Sequence, residues 1–327
     1  MKTARPTLSD IAKKFGISKQ AVSRALRDMP DISIQTRKAV QAYSREIGYS
    51  MNWAAKSLAT QTSGLIGIGM GSFTNPFFQE VTYALSRSIK QAGFIPVLVD
   101  VEATIKGLSG TSQSFAPEMP LDGLILLEGW YDMHLTEKQI SLLDSNVAPT
   151  LYRGNLMSRI VDQVQVDWYS ASRVLTRHLI ENGHRRIAAI RGTGGSSSIP
   201  EAFVPDKIRG MMDEMAGHGI DYDADLVIRI STHLSFSRDA TADLISRPNP
   251  PTAIICHTDY LAVGAIRAVK EKGLSVPDDI SIAGFNHIEI GAYLPTSLTT
   301  IGHDRTNLAQ ELVDRLINRV KEGRAPE

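Results

Sequence analysis

An all-α N-terminal head followed by a two-lobed α/β body is the fold that this sequence of 327 residues predicts. Three observations predict it. Residues 7–48 carry helix-spaced apolar positions set between hydroxyl caps and glycine stops. From Leu65 onward, short apolar runs alternate with amphipathic stretches of helical length. Charge divides the same way: residues 1–62 hold eleven Lys and Arg against four Asp and Glu, a net of +7, and residues 63–327 carry −7 in a chain neutral overall.

In the head, Thr7 opens a Thr-x-x-Asp helix start with Asp10, whose carboxylate and hydroxyl partner cap free backbone N–H groups. Ile11, Ala12 and Phe15 share one face, and Gly16 stops the helix because glycine enters a left-handed turn at little cost. Ser18 caps a second helix, from Lys19 to about Arg27, with Val22, Ala25 and Leu26 inward. Ser33 opens a third, with Val40, Tyr43 and Ile47 inward and Gly48 closing it. Two short helices across a tight glycine turn form a helix-turn-helix unit. The outward face of the second helix carries Lys19, Gln20, Ser23 and Arg24. Glutamine pairs bidentately with adenine, and Lys or Arg with guanine or phosphate. A basic helix-turn-helix on an acidic body is the electrostatic footprint of a DNA reader.

This segment resembles the head of the lactose-repressor (LacI/GalR) family of bacterial transcription regulators. The matching pieces are TLSDIAKKFGIS, AVSRAL, ISIQTRKAVQAYSREIGY and NWAAKSLA, ungapped from Thr7 to Ala59. The resemblance implies that the second helix enters the major groove, with Lys19, Gln20 and Arg24 reading bases. Ser33 and Thr36 would hold phosphates, and Thr7, Ser18 and Ser23 complete the DNA-facing set. Asn52 to Ala59 match a hinge helix that folds on DNA. Asn52 and Ala55 lie on it, and Leu58 would wedge into the minor groove and kink the duplex. The expected division is a head over 1–50, hinge helix and linker over 51–63, and an effector-binding and dimerisation body over 64–327.

The body reads as strand and helix in turn. LIGIGM is a buried strand. Asn75-Pro76 starts a helix that runs to Gly93. FIPVLVD, LDGLILLEG and VAPTLY follow as strands, then the helix SASRVLTRHLIENG, the strand RRIAAIRG, the strand PPTAIICHTD, the helix YLAVGAIRAVKEKG and the strand ISIAGFNH. Such alternation predicts parallel sheets covered by helices. Two such runs predict two lobes with a ligand cleft outside the carboxyl ends of the strands. No run of ~18 apolar residues predicts a membrane span. MKTARPTLSD lacks an apolar signal segment, and the one cysteine, Cys256, predicts a buried filler rather than a disulfide. A cytoplasmic location is expected.

The family resemblance continues more loosely to about Val320, through VQVD, HLIENGHRRIAAIRG, PPTAIICHTDYLAVGAIRAVKEKGLSVPDDISIAGFNH and LTTIGHD. It implies a periplasmic-binding-protein fold whose lobes exchange strands, with crossovers expected near Asp162 and Gly291. Lobe one is then 64–162 plus 291–327, and lobe two 163–290. Phe77 and Phe78 match the family's aromatic pair at the first helix start. Lys207 stands where the family usually has an effector-binding arginine, Thr258 where an asparagine precedes the aspartate, here Asp259, and Asn286 where an aspartate is usual. Arg153 and Arg209 are further cationic candidates. Exchanging an arginine fork for a lysine point charge, and a carboxylate for an amide, points away from a neutral sugar and toward an acidic or phosphorylated effector. Two more departures are the Gly-, Ser- and Pro-rich stretch between Asp100 and Leu121, where an irregular helix is expected, and Trp168, read as a cleft-facing aromatic or a core filler.

Enzyme signatures are weak. GIGMGS is not a dinucleotide loop, GTGGSSS lacks the Gly-Lys-Ser/Thr of a phosphate loop, and His184 reads as structural. The histidines show no metal-ligand spacing, and no cofactor is expected. The sequence predicts a regulator, reading as a repressor, whose homodimer binds a pseudo-palindromic operator. The absence of a terminal heptad run favours a dimer over a tetramer. The alternative is a cytoplasmic small-molecule-binding module without specific DNA binding.

Overall fold

A computed structural model describes residues 6–49, 62–70, 75–100, 120–127, 150–153, 162–192 and 205–322. The expected hinge residues Asn52, Ala55 and Leu58, and residues 101–119 and 193–204, lie outside them. The chain divides into two compact units, Met1–Ser63 and Gly64–Glu327.

The head is three helices, α1 (Leu8–Phe15), α2 (Lys19–Leu26) and α3 (Ile34–Glu46). The hydroxyl and backbone N–H of Thr7 donate to Asp10 Oδ2 at 2.7 and 2.8 Å. Those bonds hold the Asp10 carboxyl below its usual pKa. Gly16 closes α1 at φ 64°. Ser18 Oγ accepts from Ala21 N–H at 3.1 Å, and Ser33 Oγ from Thr36 N–H at 3.2 Å. Ile11, Ala12, Val22, Ala25 and Val40 are buried together, with Leu8, Phe15, Leu26, Tyr43 and Ile47 packed around them. Arg37 ties the α2–α3 turn by donating to the backbone oxygen and Oδ1 of Asp28, both at 2.9 Å.

The body holds two five-stranded parallel sheets. The first is ordered β2-β1-β3-β4-β5, from β1 (Leu65–Met70), β2 (Ile95–Asp100), β3 (Gly123–Leu127), β4 (Thr150–Arg153) and β5 (Asp162–Val164). Helices α4 (Pro76–Gln91) and α9 (Arg305–Glu322) bury Val81, Leu85, Leu312 and Leu316 against it. The second is ordered β10-β9-β8-β6-β7, from β6 (Ile187–Gly192), β7 (Val227–Ile230), β8 (Ala253–Cys256), β9 (Ser281–Phe285) and β10 (Thr299–Ile301). Its helices are α5 (Trp168–Glu181), α6 (Asp206–Gly217), α7 (Leu234–Ile245) and α8 (Asp259–Glu271).

Strand periodicity divides the second sheet's side chains between its faces. Ile187, Ala189, Ala253, Ile255 and Phe285 pack with α5 and α6. Ala188, Ile190, Ile254, Cys256 and Ile282 pack with α7 and α8. Both faces are covered, so these strands read as continuous apolar runs. Cys256 is a fully buried member of this core.

The lobe exchange falls later than expected. β5 is hydrogen-bonded to β4, so the chain leaves the first sheet after Val164. β10 pairs in parallel with β9, Thr299 opposite Ala283 and Ile301 opposite Phe285. The second lobe therefore runs on to Ile301, and the return comes in the segment before α9 rather than near Gly291. Gly291 lies in a 3-10 turn, Glu289–Tyr293, whose Gly291 backbone oxygen takes Leu298 N–H at 3.0 Å.

Candidate DNA interface and ligand cleft

On α2, burial of Val22 and Ala25 forces Lys19, Gln20 and Arg24 outward, and all three are exposed, with Ser23 half-buried. A 3.6-residue period puts them on one face, the solvent face of a rigid three-helix unit. Arg24 is not idle: its guanidinium meets Asp31 at 2.8 Å, both side chains well exposed. A surface pair of this kind is worth ~0–1 kcal/mol, so a base or phosphate can replace it. Ser18 and Ser33 are exposed, Thr36 half-buried, and the Ser33 and Thr36 hydroxyls lie 2.8 Å apart. Thr7, Ser18 and Ser33 thus each have a capping role that fixes the helix ends presenting this face.

Of the body's candidates, Lys207, Thr258, Asp259 and Asn286 gather at the carboxyl ends of the second sheet's strands. Lys207 is buried at the start of α6. Its Nζ donates to the His257 backbone oxygen at 2.8 Å. It also lies over the Trp168 and Phe285 rings, 4.1 and 4.5 Å from their centroids, a cation–π arrangement. Three residues on, a Cβ at Gly210 would strike the Tyr169 backbone oxygen and lie 3.1 Å from Ser172 Cβ. This close crossing of α5 and α6 is what carries Lys207 onto Trp168. Trp168 is half-buried and stands edge-on to Phe285 and His303, both at 5.9 Å. His303 in turn meets Phe77 edge-on at 5.8 Å. A row of rings therefore runs from Phe77 of α4 through His303 to Trp168 of α5.

Phe77 and Phe78 are buried, 5.2 Å apart, and Asn75 Oδ1 caps α4 by accepting from Phe77 N–H at 3.1 Å. Thr258 and Asp259 have architectural duties. Thr258 Oγ1 caps α8 by accepting from Leu261 N–H at 3.2 Å. Asp259 is fully buried. Its Oδ1 accepts from the Thr300 hydroxyl at 2.6 Å and its Oδ2 from Ile288 N–H at 2.8 Å. Burial raises its pKa to about 6 despite those bonds. Asn286 is buried at φ 101°, followed by His287 at φ 52°, conformations that non-glycine residues seldom adopt. Arg305 holds that pair by donating to the Asn286 and His287 backbone oxygens at 3.1 and 2.9 Å. Its other arm meets Glu80 of α4 at 2.5 Å, and Glu80 also accepts from Glu289 N–H at 3.1 Å. Arg305 thus links the first lobe's helix to the turn beside Asn286. Arg153 ends β4, and its side chain lies outside the described residues. Arg209 is exposed and paired with Asp206 at 2.8 Å, away from this cluster's buried face.

Sequence reasoning did not single out Arg191, His257, Phe285 or His303 for this cleft. Only parallel pairing places their distant strand ends side by side. His184 has a structural role: its ring nitrogens meet the Thr252 and Ser281 hydroxyls, both at 3.0 Å. Among the described residues, no group of three His, Cys, Asp or Glu is placed to hold a metal ion, and no helix is long and apolar enough to cross a membrane.

Residues 7–52 match the family model for bacterial regulatory proteins of the lacI family, and residues 176–327 match the periplasmic binding protein-like domain. The chain is 27% identical over 316 residues to the HTH-type transcriptional repressor PurR of Photobacterium profundum, covering 97% of this chain and 92% of that one. It is 29% identical over 306 residues to the probable HTH-type transcriptional repressor ExuR of Bacillus subtilis, covering 90% and 86%. Among solved structures, the lac repressor dimer bound to operator and the anti-inducer ONPF superposes with a TM-score of 0.79 at 26% identity, covering 98% of this chain and 94% of that one. The three-helix head, the paired parallel sheets and both matched regions agree: the head carries the domain of lacI-family bacterial regulatory proteins, and the body carries the periplasmic binding protein-like domain.

Proposed function

We propose that this protein is a cytoplasmic transcriptional repressor that binds a pseudo-palindromic operator as a homodimer and is set by a small molecule held in the body's cleft. The observation that carries this reading is the outward triad Lys19, Gln20 and Arg24 on a capped helix of a basic head. Two such heads related by a two-fold axis read two half-sites one helical turn or a multiple apart. The relatives support the assignment: PurR is a transcriptional repressor, ExuR is named a probable one, and the lac repressor structure is an operator-bound dimer. In the first lobe, a groove of about 370 Å³ lined by Ile68, Met70, Tyr83, Pro96 and Leu98 offers an apolar face to a second copy. Tyr83 and Leu98 are exposed there.

The body acts as a two-state element. Its lobes are joined by the segment after β5 and the segment before α9, with Arg305 bridging Glu80 and the Asn286–His287 turn. An effector that prefers one lobe arrangement shifts operator affinity by that preference and no more. No catalytic step is invoked; the output is a change in DNA occupancy.

Gln20→Ala tests the major-groove assignment. Loss of a bidentate base contact costs about 1–3 kcal/mol, roughly 5- to 150-fold, at one position in each half-site. Fluorescence anisotropy on an operator series, with each base pair substituted in turn, is expected to show that position become indifferent to base identity. Non-specific binding is expected to stay unchanged. Wild-type discrimination at every position in the variant would remove α2 from the groove.

A further inference from the structure

The second sheet's register brings Arg191 and His257 side by side at the strand ends. Ile190 pairs with Cys256 and Ile255 with Ala283. Continuing each ladder, Arg191, His257 and Phe285 lie level at the strand ends. They share the parity of Ala189, Ile255 and Ala283, so they point to the α5/α6 face. Lys207 reaches over the same spot from α6. Arg191, His257 and Lys207 are each at least nine-tenths buried, at 6, 5 and 5% exposure.

Burial, then the charges of Lys207 and Arg191, hold the His257 imidazole well below its usual pKa, so it is neutral. Its Nε2 is buried with no hydrogen-bond partner among the described residues. Such a nitrogen is costly to leave unsatisfied. Asp259 is a carboxylate that acts on Lys207, and each of its oxygens already accepts a hydrogen bond. A buried imidazole edge beside an ammonium and a guanidinium suits a compact anion, which accepts from the two cations and, with the imidazole proton on Nε2, from His257 as well.

We infer that Arg191, Lys207 and His257 receive the anionic head of the effector, a carboxylate or phosphate, while Trp168 and His303 meet its body. This rests on the effector-cleft reading above and adds the ligand's chemical class, with Arg191 and His257 as its selecting residues.

The test uses the full-length protein with ¹³C-labelled histidine and the His257 signal assigned by His257→Gln. Sodium acetate, inorganic phosphate and neutral acetamide are titrated at constant ionic strength. Acetate or phosphate is expected to move the His257 signal saturably, with acetamide silent. The stronger of the two names the head as carboxylate or phosphate. Arg191→Gln is expected to weaken the response about tenfold or more, the effect of one charge-assisted hydrogen bond. His257 shifts no larger with acetate and phosphate than with acetamide in the wild type overturn the inference, and that arm needs no variant to fold. Operator binding measured on the same preparation stands or falls separately. Specific DNA binding with a silent His257 rejects the anion site and leaves the repressor reading intact.

Discussion

Raising salt from about 50 to about 200 mM lowers the affinity of the dimer for its operator by roughly three to five orders of magnitude, the range for six to ten neutralised phosphates. The head's net charge of +7 is presented twice in a dimer, with Lys13, Lys14, Lys19, Arg27 and Lys38 all exposed. Each neutralised phosphate releases condensed counterions, so the logarithm of affinity falls linearly with the logarithm of salt at about −0.9 per contact. Anisotropy at four salt concentrations measures the slope. A slope near −1 would mean that the basic head does not lie on the backbone. Gln20→Ala is expected to leave the slope unchanged, because a base contact releases no counterion.

Asp259→Ala is expected to cost about 2–5 kcal/mol at pH 5, because it strands the partly buried Thr300 hydroxyl and the buried Ile288 N–H. A Cβ at Gly284 would strike Asp259, so its neighbours are packed to this side chain's shape. The penalty depends on pH, and the sign follows from linkage. Burial raises the folded pKa of Asp259 from 3.8 to about 6. The folded state therefore keeps a proton that the unfolded chain has lost. The stabilisation is full below about pH 4 and is lost as pH rises through about 6, by roughly 3 kcal/mol in all. Urea midpoints of wild type and variant at pH 4.5 and 7.5 give the difference. It is expected to be larger at pH 4.5; a difference independent of pH would contradict the buried, proton-holding carboxyl.

The head was legible because its determinants are local. Thr7 with Asp10, Gly16, and Ser18 with the Ala21 N–H act within one helical turn, and the period of Val22 and Ala25 dictates which side of α2 faces out. The sheets were legible as apolar runs, since both faces of β6, β8 and β9 are covered. Two features were not. β10 is three residues of mixed exposure, so nothing in LTTIGHD separates a strand of the second lobe from the first part of the return, and the crossover was expected near Gly291. The gathering of Arg191, His257 and Lys207 was also invisible. Arg191 and His257 lie far apart in sequence and meet only through the register of β6 and β8. Thr258 and Asp259, noticed as ligand candidates, are held by a helix cap and by the Thr300 and Ile288 donors.

The exposed face of α2 requires that the head read a DNA sequence. Random-pool selection of duplex DNA by the full-length protein at about physiological salt tests it most directly. The expected result is a recovered inverted repeat whose half-site centres lie about 10 base pairs or a multiple apart, as two α2 helices on a symmetric dimer require. A pool that stays random through selection, with and without the anions used as probes, would contradict it.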